Sequence, residues 1–370
     1  MKFGVIGNNP LTMSLLLELA GSVEHSLVVG AISDRLAQSV AAAQISMRLV
    51  STPEDALLDS VVDAVIIAVD DIEESLRLCR AATQAEKHVV IIPPLECSPA
   101  FSFELHLILD ESRHCIVPLT GRFQLADLPA MEKCLPMDRS GILQIAAEIP
   151  IENSTPESRT ITILKGLDIL SASGFDYTQV TALESLAPDG TLLSLLITLN
   201  SQSTIETPAP PATLMIRPRA LSPAPDSELR IQRSSATVQR MSVSERAPAL
   251  PRIDWLFGNR EACSKWMESF SISLELAEAV KKSLRRRRTV DVHFDSGSER
   301  GVFKSQMTAM GCGVLTFMML GMVAYLVIAQ LTTLPNWVLH TARILWIAPL
   351  VIFLLAQALL PIARNRTGSK

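Results

Sequence analysis

The sequence is poor in the residue patterns that build disulfide frameworks and metal centres. Its six cysteines lie far apart without a C-x-x-C pair, and its six histidines form no close-spaced ligand pair. Single scattered thiols suit a reducing compartment, whereas small secreted domains carry paired cysteines. The composition therefore predicts neither a zinc site nor a disulfide scaffold, and we expect no bound metal.

The sequence also lacks an excess of positive charge. It has 33 lysines and arginines against 38 aspartates and glutamates, a net charge of −5. The one basic run, KKSLRRRR at 281–288, has no interleaved aromatic residues of the kind that single-stranded nucleic acids stack on, so we predict no nucleic-acid partner. The run lies at a predicted helix end. It either contacts anionic lipid headgroups or is a solvated helix terminus.

Two long apolar segments are what the sequence has in excess. Residues 309–329 and 344–363 carry no charged side chain. A helix of about 20 residues is about 30 Å long, which matches the hydrocarbon core of a bilayer. The short connector between them predicts a hairpin of two transmembrane helices. The alternative is a pair of buried core helices, which are usually shorter.

The charges around the hairpin predict its orientation. The connecting loop has a single arginine, whereas five basic residues flank the hairpin outside the loop: Arg300, Lys304, Arg364, Arg366 and Lys370. Positive residues favour the cytoplasmic side, and the first residues lack the apolar core of a signal peptide. We therefore expect a multi-pass membrane protein, with the bilayer as a partner and with the remaining chain and both termini cytoplasmic.

Residues 1–120 alternate short apolar runs with helical patterns. Runs rich in valine and isoleucine occur at 2–7, 26–33, 62–69 and 87–92. Such runs, buried on both faces and joined by helices, are typical of a parallel doubly wound sheet. We therefore predict an α/β fold that begins with a Rossmann-type nucleotide-binding domain.

The first turn of such a sheet is where a phosphate group binds, on free amides at a helix N-terminus. The turn GNNPLT at 7–12 keeps only the first glycine of G-x-G-x-x-G, with Asn9 and Thr12 replacing the others. We predict Gly7, Asn8 and Asn9 as cofactor-binding residues. Asp34 follows the second strand, where it either accepts bonds from ribose hydroxyls or caps the next helix.

Several segments in order resemble the Gfo/Idh/MocA oxidoreductases. They are TPEDALL at 52–58, VDAVIIA at 62–68, KHVVIIPP at 87–94 and SLELAEAVKKSLR at 273–285. The resemblance implies a second domain, 121–300, of α+β type with an open, mostly antiparallel sheet. It also implies NAD or NADP as cofactor, held weakly or lost given the altered turn, and a homodimer through the second sheet.

Alternating strands are predicted in that second domain, in line with the resemblance. They fall at 141–150, 178–186, 191–200, 212–217, 228–233 and 236–241. The stretch 207–226 is rich in proline, which favours edge strands and loops.

The reactive groups that the resemblance implies are missing. The family's Glu-Lys-Pro motif falls on Ile92, Pro93 and Pro94, and its histidine and aspartate fall on Lys165 and Ile161. Lys165 and Asp168 are therefore the only catalytic candidates, and both are weak. The alternative is a surface lysine, with Asp168 satisfied where the domains meet.

Two functions follow from these observations. The first is a membrane-anchored nucleotide-binding protein that has lost catalysis and acts as a scaffold or sensor with an unknown protein partner. The second is an active NAD(P)-dependent oxidoreductase on a sugar or polyol-like substrate, with a non-standard proton donor.

Overall fold

The computed structural model describes residues 1–9, 11–125, 141–153, 155–201, 209–221, 227–235, 238–244, 248–292, 316 and 319–321. The chain divides into a compact unit, Met1–Gly297, and a second unit, Ser298–Lys370. The predicted membrane segments lie outside the described residues, apart from helical residues at 316 and 319–321. Across the described ranges, no helix has the length and apolar character needed to cross a bilayer. The hairpin therefore stays a prediction.

A parallel sheet forms the first layer. Its order is β3-β2-β1-β4-β5-β6, with every pair parallel. Its described strands are β1 (Lys2–Gly7), β2 (Ser26–Ile32), β3 (Arg48–Leu49), β4 (Ala64–Ala68), β5 (His88–Ile91) and β6 (Ile116–Pro118). The helices between them are α1 (Thr12–Gly21), α2 (Asp34–Ala42), α3 (Pro53–Leu57), α4 (Ile72–Gln84) and α5 (Pro99–Glu111).

The strand order places a switch point between β1 and β4. The chain winds outward from β1 through β2 to β3, and then returns to β4 on the other side of β1. Ligands of such sheets bind outside the carboxyl ends of the strands at this point. All five residues of β4 are buried, as expected for a central strand covered on both faces. The Rossmann-type sheet is thus confirmed.

A mixed sheet forms the second layer, in the order β12-β11-β7-β10-β9-β8-β13. Its described strands are β7 (Ile142–Ile151), β8 (Gln179–Leu186), β9 (Leu192–Asn200), β10 (Ala212–Pro218), β11 (Ser227–Arg233), β12 (Val238–Val243) and β13 (Val290–Asp291). β7 and β10 are parallel, and the other described pairs are antiparallel. The expected mostly antiparallel sheet is confirmed.

One expectation for this sheet is wrong. The proline-rich stretch was expected to supply edge strands, but β10 lies in the sheet interior between β7 and β9. Pro211 precedes this strand and Pro218 ends it, so the amides of its central residues stay free to bond to both neighbours.

Three further helices complete the first unit among the described residues: α6 (Pro156–Ser171), α7 (Leu250–Phe257) and α8 (Arg260–Arg286). α8 begins well before the segment 273–285 that carries the resemblance, because the Asn259 side chain accepts a hydrogen bond from the Ala262 amide and caps the helix there. α8 contacts both sheets. Trp266 donates to the Pro118 carbonyl at the end of β6 (3.2 Å), and Ser283 accepts from the Ala182 amide of β8 (2.9 Å).

Candidate functional site

A cavity of about 840 Å³ lies at the carboxyl edge of the first sheet. Its walls come from the start of α1, from the segments after β5 and β6, and from α6 and α8. Most of the described lining side chains are apolar, among them Leu15, Phe123, Ile161, Leu164 and Leu274. We call this space the seam cavity. Its lining includes the start of the helix that follows β1 and the segments that follow β5 and β6, but no described residue of β1 or β4.

Gly7 ends β1 and is not among the described residues that line the seam cavity. Its φ of +131° is one that side chains rarely adopt, and a Cβ atom there would lie 2.0 Å from the Ala68 carbonyl oxygen. The carboxyl ends of β1 and β4 therefore approach as closely as a bare backbone allows. The same Ala68 oxygen accepts hydrogen bonds from the amides of Asn8 (2.9 Å) and Asn9 (3.1 Å).

Asn9 accepts hydrogen bonds from the remaining amides of the turn. Its side-chain oxygen accepts from the Leu11 amide (3.0 Å), and its backbone carbonyl accepts from the Thr12 amide (3.2 Å). Its side-chain nitrogen donates to Asp70 (3.0 Å), and only 4% of the residue is exposed. Pro10 has no N–H group. Every backbone amide that residues 8–12 possess is therefore bonded within the protein, so none of these amides is free to bind a pyrophosphate.

Asp34 lies where a ribose contact would be expected. It is an exposed residue at the start of α2, one position after the Ser33 N-cap. The Ser33 amide donates to the Gly7 carbonyl (3.3 Å), so Asp34 is close to the glycine turn. The helix-cap interpretation of Asp34 is wrong, because Ser33 takes the cap position.

The segment after β5 carries no amine. The Ile92 amide donates to the Ile67 carbonyl (2.9 Å), which continues the sheet ladder, and its side chain is buried. Pro93 and Pro94 line the seam cavity, and Pro93 is the position on which the resemblance places a lysine. The proline rings and the isoleucine side chain cannot exchange a proton, so the part of the wall formed by residues 92–94 offers no acid–base chemistry.

Lys165 lines the seam cavity from α6 and is half-buried. Gly121 packs directly on its backbone, since a Cβ at Gly121 would lie 2.2 Å from the Lys165 carbonyl oxygen. This close approach brings the neighbouring Thr120 to the same wall of the cavity. Ile161, one turn earlier on α6, also lines the cavity, and it is the position on which the resemblance places an aspartate.

Asp168 is fully buried and is not among the described residues that line the cavity. Its carboxylate accepts from the Arg122 amide (2.8 Å) and Nε (2.9 Å), and from the Ser273 hydroxyl (3.3 Å). Trp266 lies beneath the guanidinium, 4.8 Å from it. This arrangement gives Asp168 a structural role where the two sheets meet, so of the two catalytic candidates only Lys165 is at the cavity.

Other polar groups at the cavity have no signature in the sequence. The Glu18 carboxylate accepts from the amides of Ala249 and Leu250 (2.9 Å each) and so caps α7. The side-chain oxygens of Thr120 and Gln124 are buried without a hydrogen-bond partner in the described structure. Such orphaned groups are costly unless a ligand or water satisfies them.

Lys281 is the second cation at the cavity, on the exposed face of α8. Burial raises the pKa of the Cys97 thiol to about 12, and the nearby Lys281 ammonium opposes this effect. Cys97 therefore stays an unreactive thiol at neutral pH. Among the described residues, no group of three or more histidine, cysteine, aspartate or glutamate side chains could hold a metal ion.

Together, the Rossmann-type parallel sheet and the mixed second sheet define the fold of the first unit. No protein-family model and no curated protein matches the chain. Solved structures do match. A myo-inositol dehydrogenase from Lactobacillus casei in complex with NAD(H) and myo-inositol has a TM-score of 0.61 at 13% identity, covering 80% of this chain and 97% of that one.

Two further solved structures share this fold. The WlbA dehydrogenase from Chromobacterium violaceum, in complex with NADH and UDP-GlcNAcA, has a TM-score of 0.59 at 14% identity, covering 80% of this chain and 96% of that one. A myo-inositol dehydrogenase from Corynebacterium glutamicum has the same TM-score and identity, covering 80% and 99%. These neighbours are of the Gfo/Idh/MocA type, which confirms the resemblance at the level of the fold.

Proposed function

We propose that this chain is a dehydrogenase-fold protein without hydride-transfer activity, which acts by binding a ligand in the seam cavity as a scaffold or sensor. The closed glycine turn is the observation that carries the proposal. The amides of Asn8 and Asn9 bond to Ala68, and those of Leu11 and Thr12 bond to Asn9, so these four positions of the turn offer no donor to a dinucleotide phosphate. The apolar wall at 92–94 removes the proton donor as well.

The solved neighbours with NAD(H) or NADH bound support a nicotinamide dinucleotide as the ancestral cofactor of this scaffold. Asp34 would contact its adenosine ribose. A hydrogen bond to a charged group contributes about 1.5–3 kcal/mol. The loss of two amide–phosphate bonds would therefore weaken binding by roughly 10²- to 10⁴-fold, which makes any remaining dinucleotide binding weak.

An active oxidoreductase on a sugar or polyol-like substrate is the second candidate function. The position of Lys165 on the cavity wall favours it, because an ammonium there could donate a proton to a substrate oxygen. Against it stand the prolines at 93 and 94 and the isoleucine at 161. A hydroxyl-rich substrate would also face a mostly apolar wall.

The membrane anchor remains part of the proposal, and it rests on the two uncharged segments at 309–329 and 344–363. A homodimer through the second sheet is proposed as well. Its outer face carries Met215, Leu196 and Leu183 side by side on three adjacent strands, a partly exposed apolar row suited to a second copy.

The test of lost catalysis uses the full-length chain in lipid nanodiscs. NADH and NADPH are titrated while nicotinamide fluorescence is followed, and NAD⁺ reduction is assayed with myo-inositol. We expect binding no tighter than the millimolar range and no turnover. Micromolar binding together with turnover would establish the second candidate function instead.

The anchor is tested separately by membrane fractionation. The full-length chain should stay in the pellet after an alkaline carbonate wash, and a chain ending at Gly297 should be released. Equal release of both chains would refute the anchor without affecting the proposal on the cavity.

A further inference from the structure

We propose that Cys115 and Cys263 form a reversible disulfide on reaction with a small peroxide, and that this bond clamps α8 to β6 at the edge of the first sheet. The two residues are about 150 positions apart, so they form no C-x-x-C motif. Neither is among the described residues that line the seam cavity. The inference is therefore independent of the proposed function.

The first turns of α8 lie in register with the strand that follows Cys115. Three side chains at a spacing of three residues on the helix donate to three alternate carbonyls on the strand: Arg260 to His114 (2.8 Å), Cys263 to Ile116 (3.4 Å) and Trp266 to Pro118 (3.2 Å). Residues three apart share one face of a helix. These bonds hold the Cys263 sulfur at the residue next to Cys115.

The two sulfurs are in direct contact, because the thiols hydrogen-bond to each other. This bond lowers the pKa of the Cys115 thiol, an effect that burial opposes, and it raises the pKa of the Cys263 thiol. The neighbouring His88 and Arg260 also lower the pKa of Cys115. A sulfur of lowered pKa beside a second thiol is the arrangement in which the first attacks an oxidant and the second resolves the product.

The surroundings of the pair select a small oxidant. Cys115 is 2% exposed and Cys263 is fully buried. His88 accepts from the Cys115 amide (3.2 Å), and its ring packs against His114 (5.1 Å) and Phe257 (4.5 Å), all three rings being partly exposed. A small movement of these rings admits a molecule the size of hydrogen peroxide. Glutathione disulfide is too large to reach the sulfur by the same route.

The proposed step is a two-electron oxidation. The Cys115 sulfur attacks one oxygen of hydrogen peroxide, the O–O bond breaks, and the other oxygen leaves as water with the thiol proton. The Cys263 sulfur then attacks the sulfenic acid, which forms the S–S bond and releases the second oxygen as water. Two thiols and one peroxide thus give one disulfide and two waters. A dithiol reductant returns two electrons and two protons and reverses the step.

The chain carries its own control thiols. Cys79 and Cys97 are buried as well, and burial raises the pKa of both, so neither should react with peroxide. Cys134 and Cys312 lie outside the described residues. Both are changed to serine in the parent chain for the test, so that four thiols remain.

The experiment treats this full-length parent chain, in phosphatidylcholine nanodiscs, with hydrogen peroxide and maps its cysteines by mass spectrometry without reduction. We expect a peptide pair joined through Cys115 and Cys263, which dithiothreitol separates, whereas Cys79 and Cys97 stay reduced. Glutathione disulfide at the same concentration should form the bond at least about tenfold more slowly.

Matched variants assign the two roles. Cys263→Ser should leave oxygen on the Cys115 sulfur instead of a disulfide, because the resolving thiol is gone. Cys79→Ser should form the bond as the parent chain does. Circular dichroism checks that each variant folds, and the mapping in the parent chain decides the matter if one does not.

The clamp has a separate measurement. Oxidation should raise the midpoint of thermal unfolding of the parent chain by roughly 5–10 °C, since the bond closes a loop of about 150 residues. Cys263→Ser should show no such rise. Thiols that stay free in peroxide, or a bond from Cys115 to another cysteine, would overturn the disulfide. An unchanged or lower midpoint in the chain that carries the bond would overturn the clamp.

Discussion

Arg122 and Asp168 form a buried ion pair between the 3-10 turn Gly121–Gln124 and α6. The guanidinium approaches the carboxylate within 2.7 Å, and the Arg122 amide bonds to the second carboxylate oxygen. The two residues are 46 positions apart. Both are almost completely buried, so neither charge has water to replace a lost partner.

Asp168→Asn should therefore destabilise the chain by about 3–5 kcal/mol, because it leaves the Arg122 charge buried and unpaired. Urea-induced unfolding followed by circular dichroism measures this. Lys265→Met is the control, since Lys265 pairs with Glu261 on the exposed face of α8 and should leave the unfolding midpoint unchanged. Equal midpoints for wild type and Asp168→Asn would show that the pair does not hold the two elements together.

Gly7→Ala should destabilise the chain by at least about 3 kcal/mol, because the methyl group would meet the Ala68 carbonyl oxygen and the φ of +131° suits only glycine. Gly21→Ala is the matched change at the end of α1. Nothing lies within 4 Å of its added methyl group, so we expect no loss of stability. Thermal unfolding of the two variants compares them directly, and similar midpoints would contradict the close approach of β1 and β4.

The double variant Asn9→Gly, Pro10→Ala should bind NADH at least tenfold more tightly than wild type. It frees the Leu11 amide from the Asn9 side chain and restores an N–H group at position 10. Fluorescence titration measures the dissociation constant. Asn8→Gly is the control, because it leaves both restrictions in place. If the double variant binds no better, then something other than the closed turn prevents dinucleotide binding.

Stability should fall as the pH is lowered from 7.5 to 5.5. Burial lowers the pKa of His106, and burial together with the neighbouring His88 lowers the pKa of His114, relative to the ordinary value near 6.5. The unfolded chain then binds these protons more readily than the folded chain, so protons favour unfolding as the pH falls through 6.5.

The urea midpoint at several pH values measures this dependence. His106→Gln should flatten part of it, since glutamine does not titrate. A midpoint that rises toward pH 5.5 in wild type would show that the folded chain stabilises the charged imidazoles instead.

The sequence by itself determined the elements of the fold. β1 occupies Lys2–Gly7 as predicted, and β4 and β5 lie within the predicted runs. Strands buried on both faces need consecutive apolar residues, so runs of valine and isoleucine mark them in the sequence. The absence of an ionisable side chain at 92–94 and at Ile161 was equally readable, since it depends only on which residue stands at each position. The first strand of the second sheet was predicted to within one residue at each end.

Only the tertiary structure decided which polar groups at the first turn and around the cavity are already hydrogen-bonded within the protein. The Ala68 carbonyl on β4 accepts hydrogen bonds from two amides of the first turn, about 60 residues earlier in the chain. Glu18 caps a helix more than 200 residues away. No local pattern encodes such contacts, because they arise where distant elements meet after folding. Asp168 shows the same limit: its sequence position left a catalytic and a structural role open, and its fully buried pairing with Arg122 decided for the structural one.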